Sequence, residues 1–248
     1  MGQKRSSMTI IDPEAKIEEN VQIGNFCTIH ENVYIGEGSI IEDYCTLGHP
    51  TPLAEGKPLV IGKESHIRSH SIFYAGSEFG DGLVTGHRAT VRELTQAGRR
   101  LQIGTLCDIQ GNCTIGDYVR LHSSVHLGKK TILHDFIWIF PYTVLTNDPH
   151  PPSDGFLSGV EVFDYAVITT MCCVLPGVKI GEHSLVGAHS LVVKDVDSHT
   201  LVAGSPAKVI CKTDKIKLRD GSGKPAYPWN THFHRGYPPE IIKKWKRT

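Results

Sequence analysis

The chain has 248 residues, enough for one large domain or two ordinary ones with a substantial core. Its 26 basic residues balance its 26 acidic ones, so we predict neither a nucleic-acid partner nor an anionic membrane partner. No apolar run reaches the roughly 18 residues of a membrane span, and the N-terminus lacks a signal-peptide core. Seven cysteines without paired spacing suit a reducing compartment, which predicts a cytoplasmic protein.

Aliphatic residues recur every six positions along most of the chain. One run extends from Ile11 to Leu47, a second from Ile61 to Leu145 and a third from Val162 to Val192. Thr85 and Ala97 weaken the second run, and we expect the chain to be irregular there. Residues 48–60 and 146–161 are rich in proline and glycine and break the phase, so they are predicted to be excursion loops.

A period of six fits neither a flat strand nor an α-helix. It is explained if each hexapeptide is a short strand plus a corner, and three of them close a triangular coil of eighteen residues. Aliphatic side chains then fill the interior, and glycine or asparagine is expected to relieve the tight backbone at corners. The small position four after the aliphatic one includes five of the cysteines, which we interpret as structural: Cys27, Cys45, Cys107, Cys113 and Cys172.

These patterns divide the chain into three parts. Residues 1–9 are predicted to be a flexible leader, and residues 10–210 the coiled domain. Residues 211–248 form a charged, aromatic tail, in which Pro239 and Glu240 favour the start of a short terminal helix.

Two motifs in addition to the repeat resemble the hexapeptide-repeat acyltransferases, over about residues 10–210. IGEHSLVGAHSLVVKDV, residues 180–196, followed by VAGSPAKVI, residues 202–210, resembles the acyl-coenzyme A module of that family. TNDPHPP, residues 146–152, resembles a loop of the members that acetylate nucleotide-linked amino sugars. The resemblance implies an all-β, left-handed parallel β-helix, a homotrimer with active sites between neighbouring copies, and acetyl-coenzyme A as co-substrate.

Acetyl transfer from a thioester to an amine requires a neutral amine, hydrogen-bond donors for the carbonyl oxygen and a proton for the leaving thiolate. An imidazole is a suitable base near neutral pH. His150, in the second excursion, is the first candidate, and His87 is the second. Asp148 is a candidate to orient the base, accept a proton or bind the substrate ammonium. The alternatives are a rigid proline-rich turn around His150 and an Asx-turn at Asp148.

The remaining site predictions concern binding. Asn147, Asp148, Arg88 and His49 are candidates for substrate contact, with Arg88 suited to a pyrophosphate. The family resemblance implies that the pantetheine arm of coenzyme A contacts the backbone of Thr170, Gly187 and Ala188. It places the adenine and phosphate end near Lys194, Ser205, Pro206 and Lys208. No metal is expected, because His232 and His234 have no third ligand at a suitable spacing.

The function predicted from these features is N-acetylation of a nucleotide-linked deoxyamino sugar for surface polysaccharide synthesis. O-acetylation of a sugar or serine hydroxyl is the alternative within the same chemistry. A zinc enzyme resembling the γ-class carbonic anhydrases would need converging histidines, but His87 and His122 occupy different positions within their repeats. A non-catalytic scaffold would gain nothing from the two excursions.

Overall fold

The structure, a computed structural model, describes residues 8–153 and 155–246. Most of the predicted leader, residues 1–7, lies outside the described residues. Within them the chain winds into a coil with three faces, and each face is a sheet whose coil strands are parallel. We number the sheets in the order in which the chain first enters them.

The first sheet contains the strands Ile10–Ile11, Thr28–Ile29, Thr46–His49, Ile72–Tyr74, Thr90–Val91, Asp108–Ile109, His126–Leu127, Val144–Leu145, Cys173–Val174 and Leu191–Val192. The second sheet contains Lys16–Ile17, Val33–Ile35, Leu59–Ile61, Glu78–Phe79, Gln96–Ala97, Thr114–Ile115, Ile132–Leu133, Glu161–Val162 and Lys179–Ile180. The third sheet contains Gln22–Ile23, Ile40–Ile41, His66–Ile67, Val84–Thr85, Gln102–Ile103, Arg120–Leu121, Trp138–Ile139, Val167–Ile168, Leu185–Val186, Thr200–Gly204 and Ala207–Lys212.

The six-residue period and the eighteen-residue coil explain the core. Ile103 pairs with Leu121, eighteen residues later, on the next turn of the third sheet. Both side chains point inward and are buried, as are most of the aliphatic residues of the repeat. The predicted all-β fold, a parallel β-helix with a short terminal helix, is therefore confirmed.

The predicted irregularity around Thr85 and Ala97 is wrong. The strands Thr90–Val91 and Gln96–Ala97 pair in regular register with the coils on either side. Thr85 is fully buried, but its hydroxyl accepts a hydrogen bond from the backbone N–H of Arg68 at 2.8 Å. A threonine fits the interior because its polar atom is satisfied there.

The expected role of glycine at the corners needs correction. Left-handed φ angles fall mainly on larger residues, such as Phe26 (57°) and Leu106 (59°). Gly104 is needed for a different reason: an added Cβ would collide with the backbone carbon of His122 on the next turn. Here glycine permits close approach between successive turns rather than an unusual torsion angle.

Both excursions leave the coil at the edge where the first sheet passes into the second. The first follows Thr46–His49, contains a 3₁₀ turn at Pro52–Ala54 and returns at Leu59–Ile61. The second follows Val144–Leu145 and returns at Glu161–Val162. We call this edge the excursion edge.

The C-terminal tail folds back over the outer face of the third sheet. It begins after the antiparallel hairpin of Thr200–Gly204 with Ala207–Lys212, and contains 3₁₀ turns at Thr213–Lys215 and Trp229–Thr231 and the helix Pro239–Trp245. Its aromatic residues form a second apolar cluster with those of the coil. Among the described residues, no helix is long and apolar enough to cross a membrane.

Candidate active site

A polar groove of about 330 Å³ lies along the edge where the third sheet passes into the first, which we call the groove edge. Gly86 and Gly104 leave its floor open, while Gln102, Arg120 and His122 project into it. A wider depression of about 800 Å³ crosses the second sheet, but the residues that line it include no imidazole. The groove edge is therefore the better candidate for acid–base chemistry.

His122 has the environment of a base. Its ring stacks on Phe140, with centroids 4.5 Å apart, and lies 5.8 Å from the ring of Trp138. Burial, and secondly the charge of Arg120, lower the pKa of His122 below its ordinary value of 6.5. Among the described residues, neither ring nitrogen has a hydrogen-bond partner. His122 is therefore neutral at neutral pH and able to accept a proton.

His87 lies on the rim of the same groove, one residue after Gly86. Its Nδ1 is 2.9 Å from the hydroxyl of Ser69 and 3.9 Å from a carboxylate oxygen of Glu42. Partial burial acts to raise the pKa of Glu42, but hydrogen bonds from His66 and the Ser69 N–H lower it overall. An ionised Glu42 favours the tautomer with the proton on Nδ1, which leaves Nε2 of His87 as an acceptor.

A second imidazole–carboxylate pair lies on the outer face of the first sheet. Nδ1 of His126 is 3.1 Å from Oδ2 of Asp108, and the amide of Gln110 donates to the same oxygen at 2.6 Å. The hydrogen bond from His126 is the main cause of a lowered pKa at Asp108, and partial burial opposes it. Asp108 and His126 are aligned on neighbouring strands.

Comparison with known proteins agrees with this architecture. Residues 14–49 match the family model of the bacterial transferase hexapeptide, six repeats. These residues carry the hexapeptide repeat of that family, and the same period continues through the later coils.

One relative is a chloramphenicol acetyltransferase of Morganella morganii, which is 30% identical to this chain over 122 residues. The matched region covers 46% of this chain and 51% of that protein. The acyl-[acyl-carrier-protein]–UDP-N-acetylglucosamine O-acyltransferase of Burkholderia orbicola is 33% identical over 127 residues, 51% of this chain and 42% of that protein. The chain thus spans about half the length of the curated relatives it matches.

One solved structure similar to this chain is a UDP-N-acetylglucosamine acyltransferase from Bacteroides fragilis. Its TM-score is 0.57 at 17% identity, over 96% of this chain and 80% of that one. This similarity shows that the two proteins share a fold.

Three predicted site residues, Asn147, Asp148 and His150, belong to the second excursion and lie away from the groove. Oδ1 of Asp148 accepts the backbone N–H of His150 at 3.0 Å, and Oδ2 accepts that of Ser153 at 3.1 Å. This is the Asx-turn. Hydrogen bonding from the side chain of Ser153 is the main cause of a lowered pKa at Asp148, and the two backbone N–H groups contribute less. His150 is exposed, and Asn147 lies beside Gly128 on the excursion edge.

The two predicted base candidates are not brought together within one chain. His87 lies on the groove edge beside the strand Thr90–Val91, whereas His150 follows Val144–Leu145 on the excursion edge, three turns further on. Three turns at about 4.8 Å each amount to about 14 Å along the coil, and the width of the first sheet adds to it.

The other two predicted substrate contacts are also separated. Arg88 is exposed on the groove edge, directly after His87. His49 is exposed at the end of the strand Thr46–His49, where its ring is 4.8 Å from the ring of Tyr74. Arg88 follows Gly86, which lines the groove, by two residues, whereas His49 precedes the first excursion on the other edge of the first sheet.

Three of the residues predicted to contact coenzyme A continue the groove edge. Ile139 pairs with Ile168, and Ile168 pairs with Val186, so Thr170 and Gly187 lie one and two turns beyond Phe140. Ala188 follows Gly187 and is exposed. These residues and His122 therefore border one continuous edge.

The four residues predicted at the adenine and phosphate end are exposed but dispersed. Ser205 and Pro206 form the turn of the last hairpin, and Lys208 pairs with Ala203 next to the groove edge. Lys194 follows Leu191–Val192 on the excursion edge. Within one chain, the two lysines lie on different edges.

Sequence reasoning missed His122 as a candidate base and His126 as a paired one. The spacing could have predicted that His126 pairs with Asp108, because the two residues are eighteen positions apart and therefore occupy equivalent positions on successive turns. Phe140 is likewise eighteen residues after His122, so spacing could also have predicted that stacked pair. The burial that lowers the pKa of His122 could not be read from spacing. Among the described residues, no three histidine, cysteine or acidic side chains converge as a metal site would require.

Proposed function

We propose that this protein transfers an acetyl group from acetyl-coenzyme A to the amino group of a nucleotide-linked deoxyamino sugar, in the cytoplasm. The observation that carries the proposal is the groove edge. It combines His87 and His122 with the three residues that the resemblance assigns to the pantetheine arm. The activities of two relatives support it, since one is an acetyltransferase and the other acts on a UDP-linked sugar.

The groove residues have the properties that the reaction requires. The amine lone pair attacks the thioester carbonyl, a C–N bond forms, and the carbonyl electron pair moves to oxygen. The side chains of Gln102 and Ser123 are donors within the groove that suit this oxyanion. His122 takes the amine proton, the C–S bond breaks, and the proton passes to the leaving thiolate. The lowered pKa of His122 keeps the base neutral for this step.

A homotrimer is part of the proposal. The second excursion and the groove lie on opposite edges of the first sheet, so Asn147, Asp148 and His150 do not reach the groove of their own chain. In a trimer the excursion of one copy would lie against the groove edge of the next. Substrate contacts from this loop would then complete the site. A monomeric mass by light scattering at assay concentration would contradict this arrangement.

The proposal is tested by thiol release from acetyl-coenzyme A in the presence of UDP-, dTDP- and GDP-linked amino sugars. We expect turnover with one nucleotide class, and loss of turnover in a variant with His122→Asn and His87→Asn combined. His134→Asn is the matched control, because His134 is paired with Glu161 at 3.1 Å on the second sheet. Undiminished turnover in the double variant would remove both bases from the mechanism.

Acetylation of a hydroxyl is a second candidate, favoured by the carboxylate beside His87. A hydroxyl is a weak nucleophile and depends more strictly on an oriented base. Glu42, 3.9 Å from Nδ1 of His87, could provide that orientation. Turnover with hydroxyl sugars but not with the matching amino sugars, together with strong loss in Glu42→Gln, would favour this alternative.

A further inference from the structure

A second pocket, of about 210 Å³, adjoins the groove and is almost entirely apolar. The coil and the C-terminal tail form it together. The coil contributes Trp138, Phe140 and Val167, and the tail contributes Tyr227, Trp229 and Phe233. The tail therefore converts an open sheet face into an aromatic pocket.

The pocket wall offers few free hydrogen-bond donors. The indole N–H of Trp138 already donates to the hydroxyl of Tyr237 at 3.0 Å, and that of Trp229 donates to the carbonyl of Tyr165 at 3.0 Å. Nε2 of His232 is 2.7 Å from a backbone carbonyl oxygen of the tail. A polar ligand group such as a nucleobase would lose its hydrogen bonds with water here without replacing them. The wall is suited to hydrocarbon.

The pocket opens where the proposed reaction takes place. Trp138 lines both the groove and the pocket, and Phe140, which lines the pocket, is the ring on which His122 stacks. Thr170 and Gly187 follow one and two turns further along the same edge. A pantetheine arm that passes them toward His122 would present its acyl group at the mouth of the pocket.

We propose that this pocket binds the hydrocarbon part of the acyl donor, so that thioesters with chains of about four to six carbons are preferred to acetyl. A cavity of about 150 Å³ is enough for benzene, so 210 Å³ accommodates a chain of this size. The chemistry is unchanged: the C–N bond forms, the C–S bond breaks, and the amine proton passes to the thiolate. This inference rests on the proposed transfer from a coenzyme A thioester to an amino sugar, and it extends the donor from acetyl to longer acyl groups.

Binding can be measured separately from turnover, because the chain has three tryptophans. Trp138 and Trp229 line the pocket, and Trp245 packs near them, 5.6 Å from the ring of Trp229. Titration with coenzyme A, acetyl-, butyryl- and hexanoyl-coenzyme A should therefore change the emission as the pocket fills. Each buried methylene should tighten binding by roughly fourfold. Since the pocket is partly open, we expect hexanoyl-coenzyme A to bind about tenfold to a hundredfold more tightly than acetyl-coenzyme A.

Two variants change the pocket in opposite ways. Val167→Phe fills it from the sheet, and should reduce the preference for hexanoyl over acetyl at least tenfold. Phe233→Ala enlarges it and should move the preference to longer chains. Tyr34→Ala is the matched aromatic control, because Tyr34 lies on the second sheet and is 37% exposed. The control should leave the preference unchanged.

The two proposals fail in different ways. If binding is independent of chain length in the wild type and in Phe233→Ala, the pocket does not hold the acyl chain, whether or not the protein turns over. Turnover that is fastest with acetyl-coenzyme A in every variant would also overturn the inference, while leaving the proposed function intact. No thiol release with any donor and any amino sugar would overturn the proposed function itself.

Discussion

Arg120 joins the coil to the tail, and its removal should detach the tail before the coil unfolds. Its guanidinium lies over the ring of Trp138 at 4.5 Å and over that of Tyr237 at 4.6 Å. It also donates to the backbone carbonyls of Arg235 and Gly236, both at 3.3 Å. Replacing Arg120 with alanine removes all four contacts. Three of them connect a strand of the third sheet with the tail, and the contact with Trp138 lies within the sheet.

The magnitude follows from the geometry. A cation over an aromatic ring contributes about 0.5–1 kcal/mol at an exposed site and about 2 kcal/mol when desolvated, so the half-buried contact with Tyr237 gives about 1 kcal/mol. The two hydrogen bonds are long and add about 1 kcal/mol together. The total, about 2 kcal/mol, should increase the population with an undocked tail by about thirtyfold. Arg120→Lys should lose roughly half of this, because an ammonium cannot lie flat between two rings.

Limited proteolysis measures this population directly, since cleavage within the tail requires that it leave the sheet. Arg120→Ala should be cut within residues 211–240 about thirty times faster than the wild type, with tryptophan emission shifted to longer wavelength. Arg99→Ala is the control, because Arg99 lies over Tyr118 at 5.6 Å and pairs with Asp117. If Arg120→Ala and Arg99→Ala are cut at the same rate, Arg120 does not secure the tail.

Three further predictions concern the groove and the first sheet. His122→Asn should lower kcat/KM by about 10²–10⁴-fold. In the wild type, the acid limb of the profile of kcat/KM against pH should lie below pH 6.5, because the pKa of His122 is lowered. An acid limb above pH 6.5 would exclude His122 as the base. Gly104→Ala should lower the free energy of unfolding in urea by about 1–3 kcal/mol, since the added Cβ meets the backbone of His122. An unchanged free energy of unfolding would show that the turns can separate at low cost. Because His126 lowers the pKa of Asp108 from its ordinary value of 3.8, the resulting stabilisation is complete above that pH and is lost as the pH falls through the lower folded value. The difference in unfolding free energy between wild type and Asp108→Asn should therefore disappear in strong acid; a difference that persists there would contradict the pairing.

The sequence by itself determined the coil. Its contacts join residues that are eighteen positions apart, so Ile103 lies next to Leu121 on the following turn. The spacing in the sequence is therefore enough to predict which residues are neighbours in the coil. The same rule fixes which residues face inward. It also places Thr170 and Gly187 on the same edge of the coil, one and two turns beyond Phe140.

Only the tertiary structure decided which imidazoles share a site. The sequence placed His150 ahead of His87 as the candidate base. In the structure Asp148 closes a turn around His150, while His87 lies on the groove edge, two turns from His122. The aromatic pocket was equally hidden. Its contacts join residues far apart without any period: the indole of Trp229 reaches back 64 positions to Tyr165. Such contacts depend on the path of the tail and on the packing of individual rings, and no repeat in the chain encodes either.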